Sequence, residues 1–320
     1  MGQYDQDDHQ SVLATTCRFL NLSNMTSLLT RSLDLVKDSR FLWNLWQQSL
    51  KQIPQNKLNT KAVISTAITF DIEQDFGSKG SFKFDRAENF FKFIKPVLGK
   101  RPATFFIQAN TVPKLIKQLS ELAKYHELGL HSFDHHGLWG NSVWFSHDDA
   151  LDYNQKKRDI SKCLAIFEKH SFPKPRSFRA PNMVIDRESL QILADNKINF
   201  DSSFSSFRNW SLPFLQSDIV EIPVSSLAKP KLVSKHGLPY LDFQVFNIAN
   251  LSRLNFRDWQ SYLSDLLSPH HPPYLVFLAH SWDFKAKLFS DLLTLLEATW
   301  NIEYVTISQL GHKLEQILQR

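Results

Sequence analysis

The chain has 320 residues, enough to bury a large core, and its composition, 42% hydrophobic and 22% charged, excludes a disordered or fibrous protein. A formal charge of +5 arises from 37 basic against 32 acidic residues that are interspersed, and no arginine-rich block interleaved with aromatics marks a nucleic-acid site. Cys17 and Cys163 lie far apart and form no C-x-x-C pair, so no disulfide framework is implied.

The N-terminus, M-G-Q-Y-D-Q-D-D-H-Q, is acidic where a secretory leader is basic, no long apolar run follows, and Gln6 breaks a myristoylation pattern starting at Gly2. The expectation is a cytoplasmic protein, or one peripheral at the inner face of a membrane, with no signal peptide or transmembrane segment. Residues 27–36 are leucine-rich with helical patterning. Within 40–51, Leu42, Leu45, Trp46 and Leu50 share one helical face between Arg40 and Lys51. Such a helix either covers the bottom of a neighbouring barrel, the preferred reading, or makes peripheral contact with a membrane. Residues 54–60 read as a linker. The division is therefore a helical N-terminal extension over 1–60 and a catalytic domain over 61–320.

From residue 61 short β-rich runs alternate with helical stretches. Strands are expected at 62–70, 103–107, 127–130, 177–179, 198–201, 219–222, 274–279 and 303–306, and helices at 112–125, 150–169 and 288–300. This alternation predicts a mostly parallel α/β sheet or barrel, in which chemistry gathers at the carboxyl ends of the strands. Polar residues of the types a hydrolase needs fall at four such ends. Asp71, Glu73 and Asp75 follow the first strand, His131 and His135 the third, Arg179 the fourth, and His280 and Asp283 the 274–279 strand. The two histidines are spaced to seat one metal ion from a loop bounded by Gly129 and Gly137.

In chain order the motifs are T-F-D at 69–71 with a second acid, A-T-F-F at 103–106, H-S-F-D-H at 131–135, R-A-P at 179–181 and L-A-H at 278–280. Together they resemble the polysaccharide deacetylase family, also called the NodB-homology or carbohydrate esterase family four group. The resemblance spans roughly residues 62–307. It implies a distorted (β/α) barrel of about seven strands and a divalent metal held by two histidines and a carboxylate. Zinc is the first choice of metal, with cobalt, nickel or iron able to replace it. It also implies His131 and His135 as ligands, Asp71 as general base, Arg179 as its orienting partner and His280 as general acid. Many members carry two adjacent aspartates after T-F. This chain reads D-I-E-Q-D, so the carboxylate ligand is Glu73, favoured by the D-x-D spacing of a subset of the family, or Asp75.

Asn182 stands where Tyr or Gly is common, and a backbone N–H near it is assigned to the reaction's oxyanion. F-D-S-S-F at 200–204 is read as the remnant of a fourth motif, with Asp201 supporting Arg179. Asp283 would support His280. Trp282 is read as rim packing, with stacking on a sugar as the alternative. His136 is read as a turn or rim residue, and His126, His147, His270 and His271 as surface. Residues 229–255 read as an insertion over the rim.

The expected reaction is metal-assisted removal of an N-acetyl group from an amino sugar in a surface polysaccharide or its precursor. The partner is thus an N-acylated amino sugar or glycan, not a nucleic acid. The alternatives are a deformylase or cyclic-amide hydrolase acting on a lipid-linked sugar or small molecule, and an inactive glycan-binding protein.

Overall fold

The structure, a computed structural model, describes residues 63–75, 83–135, 151–204, 213–225, 274–282 and 284–319. The expected extension over 1–60, its 40–51 helix, the 229–255 insertion, Cys17, His136, His147, His270, His271 and Asp283 lie outside the described residues.

The central strand β1 (Ile64–Ile72) is I-S-T-A-I-T-F-D-I, buried on both faces along nearly its whole length. That is why it reads as an almost continuous apolar run rather than an alternation. Helix α1 (Asp85–Leu98) follows and buries Ala87, Phe90, Ile94 and Leu98, an apolar stripe at helical spacing; Asp85 and Glu88 sit in its first turn and Lys95 in its last. It ends at Gly99, whose φ of 58° only glycine adopts without strain. Strand β2 (Thr104–Ile107) leads through a 3₁₀ turn at Ala109–Thr111 into α2 (Val112–Leu122), and β3 (Glu127–Leu130) runs beside β2. Helix α3 (Tyr153–Lys169) starts later than the sequence predicts because Asp152 and Gln155 form a reciprocal capping box there.

Strand β4 (Ser177–Phe178), α4 (Arg187–Asp195), β5 (Phe200–Asp201), β6 (Phe214–Gln216), β7 (Ile219–Glu221), β8 (Tyr274–His280), α5 (Ala286–Thr299), β9 (Ile302–Val305) and α6 (Ile307–Leu318) complete the described elements.

The sheet runs β6-β7-β5-β4-β3-β2-β1-β8. One edge of β1 is shared, with β9 pairing Ile64–Ala67 and β2 pairing Thr69–Ile72. All pairings are parallel except β6 with β7. Beyond β7 the chain reaches across to β8. Ser225 N–H donates to the Val276 carbonyl at 3.0 Å, and Ser225 Oγ accepts from Val276 N–H at 3.0 Å, so a short bridge completes the barrel wall. The barrel is thus distorted as expected, but with nine described strands rather than about seven. The surplus lies partly in β6, whose hairpin turn Ser217-Asp218 takes φ of 51° and 63° with no glycine to announce it.

Aromatic packing fills the space between β1, β2, α1 and α5. Phe70 lies 5.1 Å from Phe90, 5.3 Å from Phe105 and 5.4 Å from Phe289 between ring centroids. Each such buried ring contributes about 1.5–3 kcal/mol, which fixes β1 in the wall from which it presents Asp71 and Glu73. Gly129 in β3 is required for a different reason. A Cβ there would meet Ser177 Oγ at 2.5 Å and Phe106 Cδ1 at 2.8 Å, so only glycine lets β3 approach β2 and β4 this closely.

Candidate active site

The carboxyl end of β1 supplies Asp71 and, one residue beyond the strand, Glu73. In the β1–β8 register Asp71 stands opposite His280, the last residue of β8. Asp71, Glu73, His131, His135 and Arg179 are all buried, while the His280 side chain retains 23% exposure, which places it at the mouth.

Arg179 is fully enclosed and each of its three guanidinium nitrogens donates. Nη1 donates to Asp71 Oδ1 at 2.9 Å and to Thr69 Oγ1 at 2.8 Å, Nε to the Ser202 carbonyl at 2.9 Å, and Nη2 to Ser202 Oγ at 3.0 Å. Its guanidinium carbon lies 4.3 Å from the centroid of the Phe106 ring. Burial pulls its pKa down, and the Asp71 carboxylate opposes that pull. The pairing leaves Asp71 Oδ2 facing the histidines, 4.0 Å from both His131 Nε2 and His280 Nε2.

The histidine segment leaves β3 pinned on several sides. His131 N–H donates to the Ile107 carbonyl, Ala109 N–H to the Ser132 carbonyl, and Asn110 N–H to the Phe133 carbonyl. Ser132 and His135 take φ of 59° and 57°, conformations that cost of order 1–3 kcal/mol apiece in non-glycine residues and cluster where side chains must be aimed. His131 Nδ1 lies 2.8 Å from the Arg179 carbonyl. That acceptor fixes the proton on Nδ1 and leaves the Nε2 lone pair toward the carboxylates.

Glu73 joins this cluster. Its Oε1 accepts from Trp282 Nε1 at 2.7 Å, and its Oε2 lies 2.9 Å from His135 Nε2 and 4.0 Å from His131 Nε2. The 2.9 Å approach is an ion-pair contact without hydrogen-bond alignment, and neither Glu73 Oε2 nor His135 Nδ1 has a hydrogen-bond partner. Burial pulls the Glu73 carboxyl up, but the His135 contact and the fields of His135, His280 and His131 hold it down at about 2. Burial pulls His131 down toward the neutral imidazole. It also pulls on His135, where Glu73 outweighs it and the pKa is raised.

The donor atoms of Glu73, His131 and His135 all lie within 4.8 Å of one another, a set that could hold a metal ion. Glu73 Oε2, a buried carboxylate oxygen, has no hydrogen-bond partner beside two imidazoles, which fits a cation seated on one oxygen and two nitrogens.

The other expected site residues fall into place differently. Asp75 is directed elsewhere: its Oδ2 and Oδ1 accept from the N–H groups of Arg86 and Ala87, so it caps α1, and Glu73 is the acid that meets the histidines. Trp282 is more than rim packing, since besides bonding Glu73 it stacks on His280 at 4.7 Å. Asn182 is exposed at the 3₁₀ turn after Arg179, with φ of 56°. Asp201 makes no hydrogen bond to Arg179; its neighbour Ser202 does. His126 is half-buried against the Phe105 ring at 5.4 Å, not on the surface. Thr69 and Ser202, which fall within the T-F-D and F-D-S-S-F motifs, were given no role from the sequence, nor was Glu221, an acid interrupting the apolar run of β7.

Fold and site together define a distorted (β/α) barrel of the NodB type with a His-His-carboxylate donor set at its carboxyl rim. The family model described as polysaccharide deacetylase matches residues 59–200, the segment that carries Asp71, Glu73, His131, His135 and Arg179. Among solved structures, a protein from Mycobacterium smegmatis described as a polysaccharide deacetylase aligns with a TM-score of 0.59 at 15% identity, covering 83% of this chain and 95% of its own. A family 4 carbohydrate esterase from Streptomyces lividans in complex with acetate aligns at 0.46 and 11% identity, covering 75% and 90%. A family 4 pseudoenzyme from Bacillus anthracis aligns at 0.47 and 13%, covering 78% and 66%. At these identities the likeness shows the fold alone. A comparison with curated protein sequences found no match. Among the described residues no helix is long and apolar enough to cross a membrane.

Proposed function

We propose that residues 61–320 form a metal-dependent hydrolase domain that removes an N-acetyl group from an amino sugar of a surface polysaccharide or its precursor. The observation that carries this reading is the meeting of Glu73, His131 and His135 within 4.8 Å, beside a carboxylate that Arg179 holds in place. A divalent metal on those three donors, zinc being the best match to two imidazoles and a carboxylate, would supply Lewis acidity toward the acyl oxygen and toward water.

The remaining chemistry belongs to the chain. Asp71 removes a proton from the attacking water through Oδ2, because Oδ1 is committed to Arg179. Arg179 keeps that carboxylate ionised and aimed, and Thr69 and Ser202 keep Arg179 from turning away. Trp282 holds Glu73 by one oxygen and leaves the other toward the histidines. His280, partly exposed and braced on Trp282, delivers a proton to the departing amine. Asn182 stands by the rim after Arg179, where its backbone meets the substrate.

The test measures the metal content of the purified protein and acetate release from a panel of N-acetylated amino sugars, for wild type and for a variant combining His131→Ala with His135→Ala. Stoichiometric metal with release, both lost in the variant, is the expected result. Metal without release on any acetylated sugar overturns the deacetylase assignment in favour of formyl or cyclic-amide substrates, and absence of metal from the wild type favours a binding protein without turnover.

A further inference from the structure

On the Ser202 side of Arg179 lies a second pair of buried acids that the reaction above does not use. The β5–β7 register sets Asp201 opposite Glu221, and both are fully enclosed. Each commits one oxygen to a neutral donor. Asp201 Oδ1 accepts from Ser203 Oγ at 2.6 Å, and Ser203 Oγ in turn accepts from Ala180 N–H at 2.8 Å; Glu221 Oε1 accepts from Phe204 N–H at 3.0 Å. The remaining oxygens, Asp201 Oδ2 and Glu221 Oε2, have no other donor.

Two ionised carboxylates in this setting repel each other in a low dielectric and leave two acceptors unsatisfied. One proton between them removes both costs, since a carboxylic acid donates and a carboxylate accepts. Burial raises both groups. Glu221 goes well above the usual carboxylate range, pushed by burial and then by the charge of Asp201, whereas hydrogen bonds from Glu221 and Ser203, and then the charge of Arg179, draw Asp201 back down. Among the described residues the other titratable group that feels the pair is Tyr274 of β8, whose enclosed phenol stays neutral because burial, and then Glu221, push it up.

We propose that Glu221 is a positioning residue: with Asp201 it holds one proton and one negative charge, and that single charge anchors the Arg179 guanidinium where it grips Asp71. A fully ionised pair would draw Arg179 away from Asp71, and a neutral pair would leave the guanidinium balanced by Asp71 alone. The structural part stands by itself; its consequence for turnover rests on the proposed role of Asp71.

The test is infrared spectroscopy of the full chain with isotope-labelled carboxyl groups at about pH 8.5, above the Asp159 value of about 7, so that this other buried acid is ionised. Wild type is expected to show a protonated-carboxyl band that disappears in Glu221→Gln and in Asp201→Asn, since either amide donates in place of the shared proton. The nitrogen-15 signal of the Arg179 Nε–H is expected to persist in both single variants and to be lost in the double amide. No band in wild type, or a band that survives both single substitutions, overturns the shared proton, and needs no double variant. An Arg179 signal unchanged in a folded double amide overturns the anchoring role. A protein that shows the band and releases nothing from any sugar sinks the deacetylase assignment while the shared proton stands.

Discussion

The two halves of the site are built to different degrees of completion. On the Arg179 side every guanidinium nitrogen has a partner, and Asp71 Oδ1, Thr69, Ser202 and the Phe106 ring surround it. On the Glu73 side the donors crowd together, yet Glu73 Oε2 and His135 Nδ1 lack hydrogen-bond partners. Buried polar atoms are left unsatisfied at a cost of about 1–3 kcal/mol each. On the proposed reading the first half is prepared for orientation and the second for a ligand: Asp71, the base, is positioned by the protein alone, whereas the histidine cluster is completed from outside.

The sharpest way to break this comparison is Asp71→Asn. On the proposed reading it removes the base while leaving the open half intact, so turnover should fall by about 10²–10⁴-fold with metal content unchanged. The amide keeps an oxygen for Arg179, which limits the damage to the fold. Parallel loss of metal and turnover would show that the two halves are not separable, and the division of labour would have to be abandoned.

A second prediction concerns the support beneath the histidine segment. Asp159 of α3 accepts from Phe133 N–H with both oxygens, at 3.0 and 3.1 Å, and burial raises its carboxyl to about 7. A folded-state value above the unfolded one means that the native state binds the extra proton. The stabilisation is therefore complete below about pH 4 and is lost as the pH rises through about 7. Asp159→Asn keeps an acceptor for Phe133 and cannot ionise. Its stability relative to wild type should rise across that window, by up to about 4 kcal/mol if the whole shift is realised. Urea denaturation at about pH 4 and pH 8 measures the difference, and a pH-independent difference would mean that Asp159 titrates normally.

How far the sequence discloses this molecule follows from what each residue depends on. Strand ends carrying Asp71, Glu73, His131, Arg179 and His280 are legible because a buried parallel strand is a short apolar run, and a polar residue at its carboxyl end stands out. The β3 bounds are read to the residue, and the family motifs supply their order. The choice between Glu73 and Asp75 is not legible locally, because it is decided by helix α1, whose first N–H groups capture Asp75. Strand β6 escapes because its turn, Ser217-Asp218, reaches the left-handed region with no glycine. Ser202 and Glu221 escape because their meaning lies in partners far along the chain, which only the sheet order brings together.

The smallest effect is the most discriminating for the open half. Trp282→Phe preserves an aromatic ring to stack beside His280 but deletes the indole N–H that holds Glu73 Oε1 at 2.7 Å. If Glu73 is a ligand, this bond does what a partner behind a metal-binding side chain does: it restricts the carboxylate to the rotamer that aims Oε2 at the histidines. Such partners are worth about 10–100-fold in metal affinity. The expected outcome is a loss of that size in competition with a chelator of known affinity, with the metal-free protein destabilised by about 1–3 kcal/mol because the buried Glu73 Oε1 loses its donor. An unchanged affinity would mean that Glu73 is aimed by the histidines themselves. The open half would then owe its geometry to the left-handed backbone at Ser132 and His135 rather than to β8.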